Sequence, residues 1–384
     1  MRLTKLFKEF FGSEKAGGLL LVIMTVFSIV LANSVWKEGY VSFWDTYIAG
    51  HSIVQWIDEG FMTIFFLLVG LELEREFYQG ELSNLKNASF PVFAAIGGML
   101  VPALIYLLIN AGEGDKSGAG IPMATDIAFA IGISYLLGNR VPGSLKILLT
   151  ALAIIDDLGA IIIIAVFYTA SLSLVNLFIA LFIFGILIVL NRLKVYSLIP
   201  YVIGGIAMWY FMLHSGVHAT ITGVLLAFAI PYSRIEEKSP SLILQHLLHK
   251  PVAFILLPLF ALSNTSITIG DNWISGLGET NSIGIMAGLI IGKPVGIILF
   301  SFIGAALGLC SLPDDLKWSN IIGVGFLGGI GFTMSIFITI LAFNDSAIIN
   351  ASKIAIIFAS VATGITGYII LKKTLKEKVI EDVI

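Results

Sequence analysis

Four ionisable residues stand inside long apolar runs of this 384-residue chain: Asp126, Asp156, Asp157 and Lys293. Each costs about 3 kcal/mol at the centre of a bilayer, so the four together approach ~12 kcal/mol, comparable with the whole stability of a typical domain. They must therefore face one another or water, and groups of this kind mark substrate pathways by default. A buried ion pair that fixes helix register is the plainer account of Asp126 alone. It does not account for Asp156 and Asp157, because one lysine neutralises one carboxylate and the run Leu152 to Ala160 (LAIIDDLGA) holds no other positive charge. Adjacent helical residues point about 100° apart, so both can border one cavity without touching. Two close carboxylates in a medium of low dielectric do not readily ionise together near neutrality. A site whose protons leave near physiological pH, and which a cation can then occupy, exchanges protons for cations.

The elements that hold such groups must be helices that cross a bilayer. Of all residues 58% are apolar and 12% charged, against about 25% charge in soluble domains. A crossing needs about 20 apolar residues, so twelve would use roughly 240 and leave roughly 140 for loops and tails. Apolar windows start near Gly17, Gly60, Ala88, Ile121, Gly143 and Ser173, then near Ser197, Gly216, Pro251, Ser282, Ser319 and Asn350. Most connections are short. The longest, Trp36 to Asp58, carries Trp36, Tyr40, Phe43, Trp44, Tyr47 and Trp56, which suits an interfacial segment. No strand-like region of any length and no soluble domain is expected, so residues 1–384 read as one polytopic membrane domain.

The basic start (Arg2, Lys5, Lys8, Lys15) and the small-x-small sequence Ala32-Asn33-Ser34 have features of a cleavable leader. Glu9 and Glu14 interrupt that start, and the run from Gly17 to Val35 is long enough to cross, so a retained first span is expected. With the N-terminus in the cytoplasm, 17 Lys and Arg fall inside and 3 outside (Lys37, Lys116, Lys353), while Lys146 and Lys293 lie within spans. That bias favours twelve spans with both termini cytoplasmic.

Two windows look broken. The fourth is short, with Pro122 near its start, and the eleventh carries Gly323, Gly325, Gly328, Gly329 and Gly331. Backbone groups freed at such breaks are tolerated only where they line a cavity, and there they can bind ions. Close packing of small residues is the alternative for the glycine run taken alone. In the tenth window Pro294 leaves the Ile290 carbonyl free, which predicts a kink beside Lys293. A buried lysine there is either a carboxylate's counter-ion or itself a titrating group.

Other functions fit poorly. The net charge of −3 offers no field for nucleic acid, and the single Cys310 makes neither an internal disulfide nor a thiolate cluster. His246 and His249 share a helix face without a third metal ligand, and a lone His218 at a helix start is more often packing. A solvated helix end explains three of Glu72, Glu74, Arg75 and Glu76. Gly112-Glu113-Gly114-Asp115 spells the G-x-G-D of intramembrane aspartyl proteases, but it lies in a polar loop, so no enzyme is expected. A cation-coupled symporter of an organic solute is the remaining alternative, although no arginine lies deep in a span to grip an organic anion.

Five segments together carry a specific resemblance: FFLLVGLELERE (Phe65–Glu76), ATDIAFA (Ala124–Ala130), ALAIIDDLGAIIIIAVFY (Ala151–Tyr168), SGVHAT (Ser215–Thr220) and GKPVGI (Gly292–Ile297). In this order they resemble the bacterial NhaA sodium/proton antiporters over nearly the whole chain. The resemblance implies an all-α integral membrane protein of 12 transmembrane helices. Helices 3–5 and 10–12 (about 88–169 and 282–371) would form inverted repeats with two discontinuous crossed helices, 4 and 11, as an ion-translocating core. The other helices would form an interface and scaffold bundle. Inverted repeats are an established property of that family.

By this resemblance Asp156 and Asp157 are the Na+/H+ site, with Asp157 the foremost direct cation ligand. Thr125 and Asp126 belong to the crossed, unwound helices and stabilise their facing half-helix ends. Lys293 pairs with Asp156 and carries one of the exchanged protons. Glu72 sits by a cytoplasmic funnel in a pH-responsive cluster, with His218, His246 and His249 also tied to pH response. The resemblance further implies Na+, Li+ and H+ as the transported ions without any cofactor, and electrogenic, pH-regulated export of sodium. It also implies a homodimer, through Trp36–Asp58, in the lipid bilayer of the bacterial inner membrane, and a role in salt and alkali tolerance. Two residues depart from the family's type member: Gln245 replaces a glutamate and Glu74 a lysine, both in the region expected to sense pH.

Overall fold

Long apolar runs become helices in hydrocarbon because a helix satisfies its own backbone hydrogen bonds. A computed structural model describes residues 14–112, 114–168, 172–233, 239–270 and 273–375 of the chain. Arg2, Lys5, Lys8, Glu9, Glu113, Arg234, Lys238, Lys376 and Lys378, on which parts of the leader, loop and charge readings rest, lie outside the described residues.

Among the described residues, eight helices are long and apolar enough to cross: Ile53–Tyr78, Ala88–Ile109, Lys116–Leu136, Gly143–Phe167, Leu174–Arg192, Pro240–Asn264, Thr280–Ala306 and Ser346–Thr374. Two more candidates are bent pairs, Ala16–Ala32 with Lys37–Trp44 (119°) and Trp318–Gly328 with Phe332–Ala342 (46°). Ile199–Leu213 is shorter, and Ile221–Ala229 shorter still. These segments occupy the twelve windows read from the sequence, and we number them as spans one to twelve in chain order.

Several boundaries differ from the sequence reading. The segment after Trp36 is a short helix (Lys37–Trp44) followed by an antiparallel hairpin pairing Tyr47–Ile48 with His51–Ser52, and span two already begins at Ile53. Ser52 starts it with a capping box, accepting from the Gln55 amide while the Gln55 side chain accepts from the Ser52 amide. Span nine begins at Pro240, well before Pro251, because Ser239 caps it by accepting the Leu242 amide and Pro240 occupies the first turn. Neither Pro251 nor Pro294 breaks its span. A π-helical turn follows Pro251 (Val252–Leu256), and another precedes Lys293 and Pro294 (Gly288–Gly292). The span runs unbroken from Thr280 to Ala306, with the π-helical turn just before the proline.

Contacts divide the chain into two units. The first comprises Met1–Leu19, Leu85–Ala160 and Gly270–Ile384. In it spans three and ten meet through glycines: a Cβ added at Gly97 or at Gly296 would overlap the other's carbonyl oxygen, and one at Gly292 would lie 2.8 Å from Pro102 Cα. Absence of side chains lets the two backbones touch, the usual device where lipid supplies no hydrophobic drive. Span four is a 3-10 helix (Lys116–Met123), an extended stretch and an α-helix (Ile127–Leu136). Span eleven breaks at Gly329–Gly331, where the backbone passes so close to the Leu289 carbonyl that a Cβ on Gly329 would lie 2.5 Å from it. Asp345 caps span twelve by accepting the Ala347 amide at 2.7 Å, and Lys372 and Lys373 sit in its last turn, where the helix dipole favours cations.

The second unit comprises Leu20–Asn84 and Ile161–Ile269. Its core includes Leu71, Tyr201, Met208, Met212, Leu226 and Ala227. Spans two and eight pack closely, since a Cβ on Gly70 would lie 2.7 Å from Ala227 Cβ. Span six is the least buried of the eight crossing helices and exposes Phe178, Phe182 and Val189, an apolar face suited to hydrocarbon.

Candidate functional site

The fifth span carries Asp156 and Asp157 halfway along its length, both buried. The residues alone leave open which carboxylate meets Lys293, and the resemblance pairs it with Asp156. The lysine Nζ lies 2.7 Å from Asp156 Oδ2, with both side chains fully buried. It also donates to the Met123 carbonyl at the end of span four's 3-10 half, and it lies in the electrostatic field of Asp157. Asp156 Oδ1 is buried and accepts no hydrogen bond among the described residues.

The two broken helices cross beside this pair and are bonded to each other. Ala124 to Asp126 are extended because Pro122 and the cap geometry at Asp126 end one helix and begin the next. Asp126 donates its amide to the Ile330 carbonyl at 2.6 Å. Its carboxylate then serves two helix starts: Oδ1 accepts the Phe129 amide at 3.1 Å, and Oδ2 accepts the Thr333 amide at 3.0 Å and the Thr333 hydroxyl. Each helix N-terminus carries roughly half a positive charge, so one carboxylate between two of them is well placed. Ser335 ties the far side by donating to the Ile121 carbonyl at 2.7 Å.

Thr125 links the crossing to the acidic pair. Its Oγ1 lies 2.7 Å from Asp156 Oδ2 and 2.8 Å from the Gly328 carbonyl, and its one proton can serve only one of them at a time. Three buried carboxylates (Asp126, Asp156, Asp157) thus stand with one buried lysine. Fully ionised, the group would carry a net formal charge of −2, of which the two helix N-termini offset part at Asp126, and protons or small cations could relieve the rest. Oxygen donors from carboxylate, hydroxyl and carbonyl are the ligands that hard cations take.

The residues expected to respond to pH belong to the second unit. His218 Nδ1 lies 3.9 Å from Glu59 Oε1, a pair that attracts only when the histidine is protonated. Glu72 is half-buried on span two, and His246 and His249 are exposed on span nine. A solvated helix end does not describe Glu74, which is buried and accepts the Ser241 hydroxyl at 2.6 Å. Gln245, also buried, lies one helical turn beyond Ser241.

Sequence reasoning missed the neutral members of the site: Thr333, Ser335 and the carbonyls of Met123, Gly328 and Ile330. One signal was available for Thr333, a polar residue placed just after the glycine run, where a new helix would start.

Comparison with known proteins agrees with this architecture. Residues 8–371 match the family described as Na+/H+ antiporter 1. The chain is 64% identical over 375 residues to a Na(+)/H(+) antiporter NhaA 1 of Flavobacterium johnsoniae, covering 98% of each protein. It is 63% identical over 382 residues to a Na(+)/H(+) antiporter NhaA of Flavobacterium psychrophilum, covering all of both. A Na(+)/H(+) antiporter NhaA of Cytophaga hutchinsonii is 58% identical, with 98% of this chain and 97% of that one covered. With buried carboxylates at two crossed, broken helices and identity at this level over the full length, the chain belongs to the Na+/H+ antiporter 1 family, that of the multi-pass NhaA transporters.

Proposed function

We propose that this protein exports Na+ or Li+ in exchange for protons, by alternating access at Asp156 and Asp157. The observation that carries the reading is the pair of adjacent, buried carboxylates, of which Asp156 is paired with a buried lysine, beside two crossed helix breaks. Kinship with NhaA antiporters favours antiport over symport of an organic solute. Spans three to five and ten to twelve act as the ion-translocating core and the remaining spans as the interface and scaffold bundle. The protein works as a homodimer in a bacterial inner membrane, with both termini in the cytoplasm.

With its carboxyl deprotonated, Asp157 binds the cation, helped by Asp156, Thr125 and a carbonyl at the break. Protons compete for the same oxygens, so mutual exclusion at one site couples the two flows. A doubly charged empty site does not cross the apolar core, which prevents leak. When Asp156 turns to the cation, Lys293 releases its proton, so more protons than cations move. Each net charge then draws on about 2.3 kcal/mol per 100 mV of membrane potential. Glu72, His218, His246 and His249 adjust the rate to pH.

The test uses purified protein in liposomes carrying a pH gradient and a pH dye. Na+ and Li+ collapse the gradient, while K+ and choline do not, and both Asp156→Asn and Asp157→Asn abolish the response. An imposed membrane potential changes the rate. Wild-type Na+-driven proton flux in Asp157→Asn removes the binding-site claim, and indifference to potential removes the electrogenic one.

A further inference from the structure

The second half of span eleven starts at Phe332 behind Gly331, a residue with no side chain to cap it. A helix leaves its first N–H groups without intrahelical acceptors, and here two of them are met from other helices. Asp126 takes the Thr333 amide, and Ser360, buried on span twelve, takes the Phe332 amide on its Oγ at 3.1 Å. By contrast, span four's second half is capped by its own Asp126. Span twelve runs directly against the break, since a Cβ on Gly329 would lie 3.0 Å from Thr363 Cγ2.

We propose that Ser360 is a positioning residue of the ion site, acting through the Phe332 amide on the crossing of the two broken helices. The proposal rests on the reading of Asp156 and Asp157 as the cation site. The path is short and made of named contacts. Phe332 packs its ring on Phe129 with centroids 4.8 Å apart, and the Phe129 amide holds Asp126 Oδ1. Two residues before Phe332, the Ile330 carbonyl holds the Asp126 amide. Thr125, next to Asp126, places its hydroxyl between Asp156 and the Gly328 carbonyl. A shift of Phe332 therefore reaches Thr125 and the cation's oxygen ligands by two routes, one through ring packing and one through the backbone hydrogen bond at Ile330.

The repeat relation supports the assignment. Asp156 lies 13 residues beyond the start of its helix at Gly143, and Ser360 lies 14 beyond the start of its helix at Ser346. Each accepts a hydrogen bond from the break of the helix before it, Asp156 from the Thr125 hydroxyl and Ser360 from the Phe332 amide. The two contacts are alike in kind, each a buried side-chain oxygen of the following span taking a donor at the break, although their registers differ by one residue.

The experiment compares full-length wild type, Ser360→Ala, Ser360→Thr, Ser360→Cys and Asp157→Asn in proteoliposomes. The readouts are KM and kcat for Na+ and for Li+, together with unfolding stability. Ser360→Ala raises the KM for Na+ about three- to ten-fold, the equivalent of one net hydrogen bond. Its kcat stays within about two-fold, because the alteration lies in ground-state binding geometry. The ratio of Li+ to Na+ KM shifts, as the smaller ion is more sensitive to ligand spacing. Ser360→Thr restores wild-type values. Should Ser360→Ala fail to fold, Ser360→Cys, a weaker acceptor of similar shape, gives the same direction of change. An unchanged KM and ion ratio in the folded variant, or a loss of stability alone, overturns the proposal. Exchange surviving in Asp157→Asn overturns instead the site reading beneath it.

Discussion

The Lys293–Asp156 pair gives the most direct test of the site's energetics. Both side chains are fully buried, with Nζ 2.7 Å from Oδ2. Removing one partner of such a pair costs about 3–5 kcal/mol, because an uncompensated charge stays behind. Lys293→Met takes away the only cation on Asp156 and also the donor to the Met123 carbonyl, so its loss lies near the upper end. Asp156→Asn leaves the ammonium held by that carbonyl and by the field of Asp157, so its loss lies nearer the lower end. In the double variant no buried charge of the pair remains, and replacing a buried pair by neutral groups is often close to neutral. The double-mutant cycle therefore returns a coupling of about 3 kcal/mol or more. Equilibrium unfolding by SDS titration in mixed micelles, followed by the six tryptophans, measures it. A coupling below about 1 kcal/mol, the range of exposed pairs, would show that water reaches the pair and would refute the desolvation argument.

Two further outcomes follow from the same geometry. Thr125→Val removes the hydroxyl shared by Asp156 and the Gly328 carbonyl, so the KM for Na+ in the liposome assay rises about ten-fold or more, as expected for a hydrogen bond to a charged group; Thr125→Ser keeps the hydroxyl and stays near wild type. Gly296→Ala drives a methyl into the Gly97 carbonyl and lowers unfolding stability by about 1–3 kcal/mol, an overpacking loss. Gly185→Ala in span six meets nothing within 4 Å and serves as the control, gaining up to about 1 kcal/mol from helix propensity in the same SDS titration.

The positions of the spans were legible because hydrocarbon admits so few solutions for a backbone. Breaks at Ala124–Asp126 and Gly329–Gly331 were legible for a related reason: glycine and proline weaken a helix wherever they occur. What proline then does is decided by the neighbouring turn. At Pro251 and Pro294 a π-helical turn lies alongside and the helix is continuous. Span nine's true start was written in the sequence as Ser239-Pro240, a cap followed by a first-turn proline. The strong breaker signal at Pro251 overrode it.

The charged members of the site could be read because a membrane penalises each one, so its presence demands a reason. Glu74 shows the limit of that argument. At a helix end a carboxylate carries no such penalty in sequence, and only the fold reveals that Glu74 is buried against Ser241. Hydroxyls are harder still. Thr265, Thr339 and Thr363 return their protons to the carbonyl four residues back on their own helices, so a hydroxyl in an apolar span needs no partner elsewhere. Thr333 and Ser360 look the same in sequence, yet one holds Asp126 and the other holds the amide that starts a half-helix. The distinction comes from the break itself. Past its first turn a continuous helix offers hydroxyls only carbonyls, whereas a broken one exposes amides in mid-span as well. A hydroxyl that accepts a backbone amide therefore marks a helix start, either the span's own, as at Ser52 and Ser239, or a break within it, as Ser360 does for Phe332.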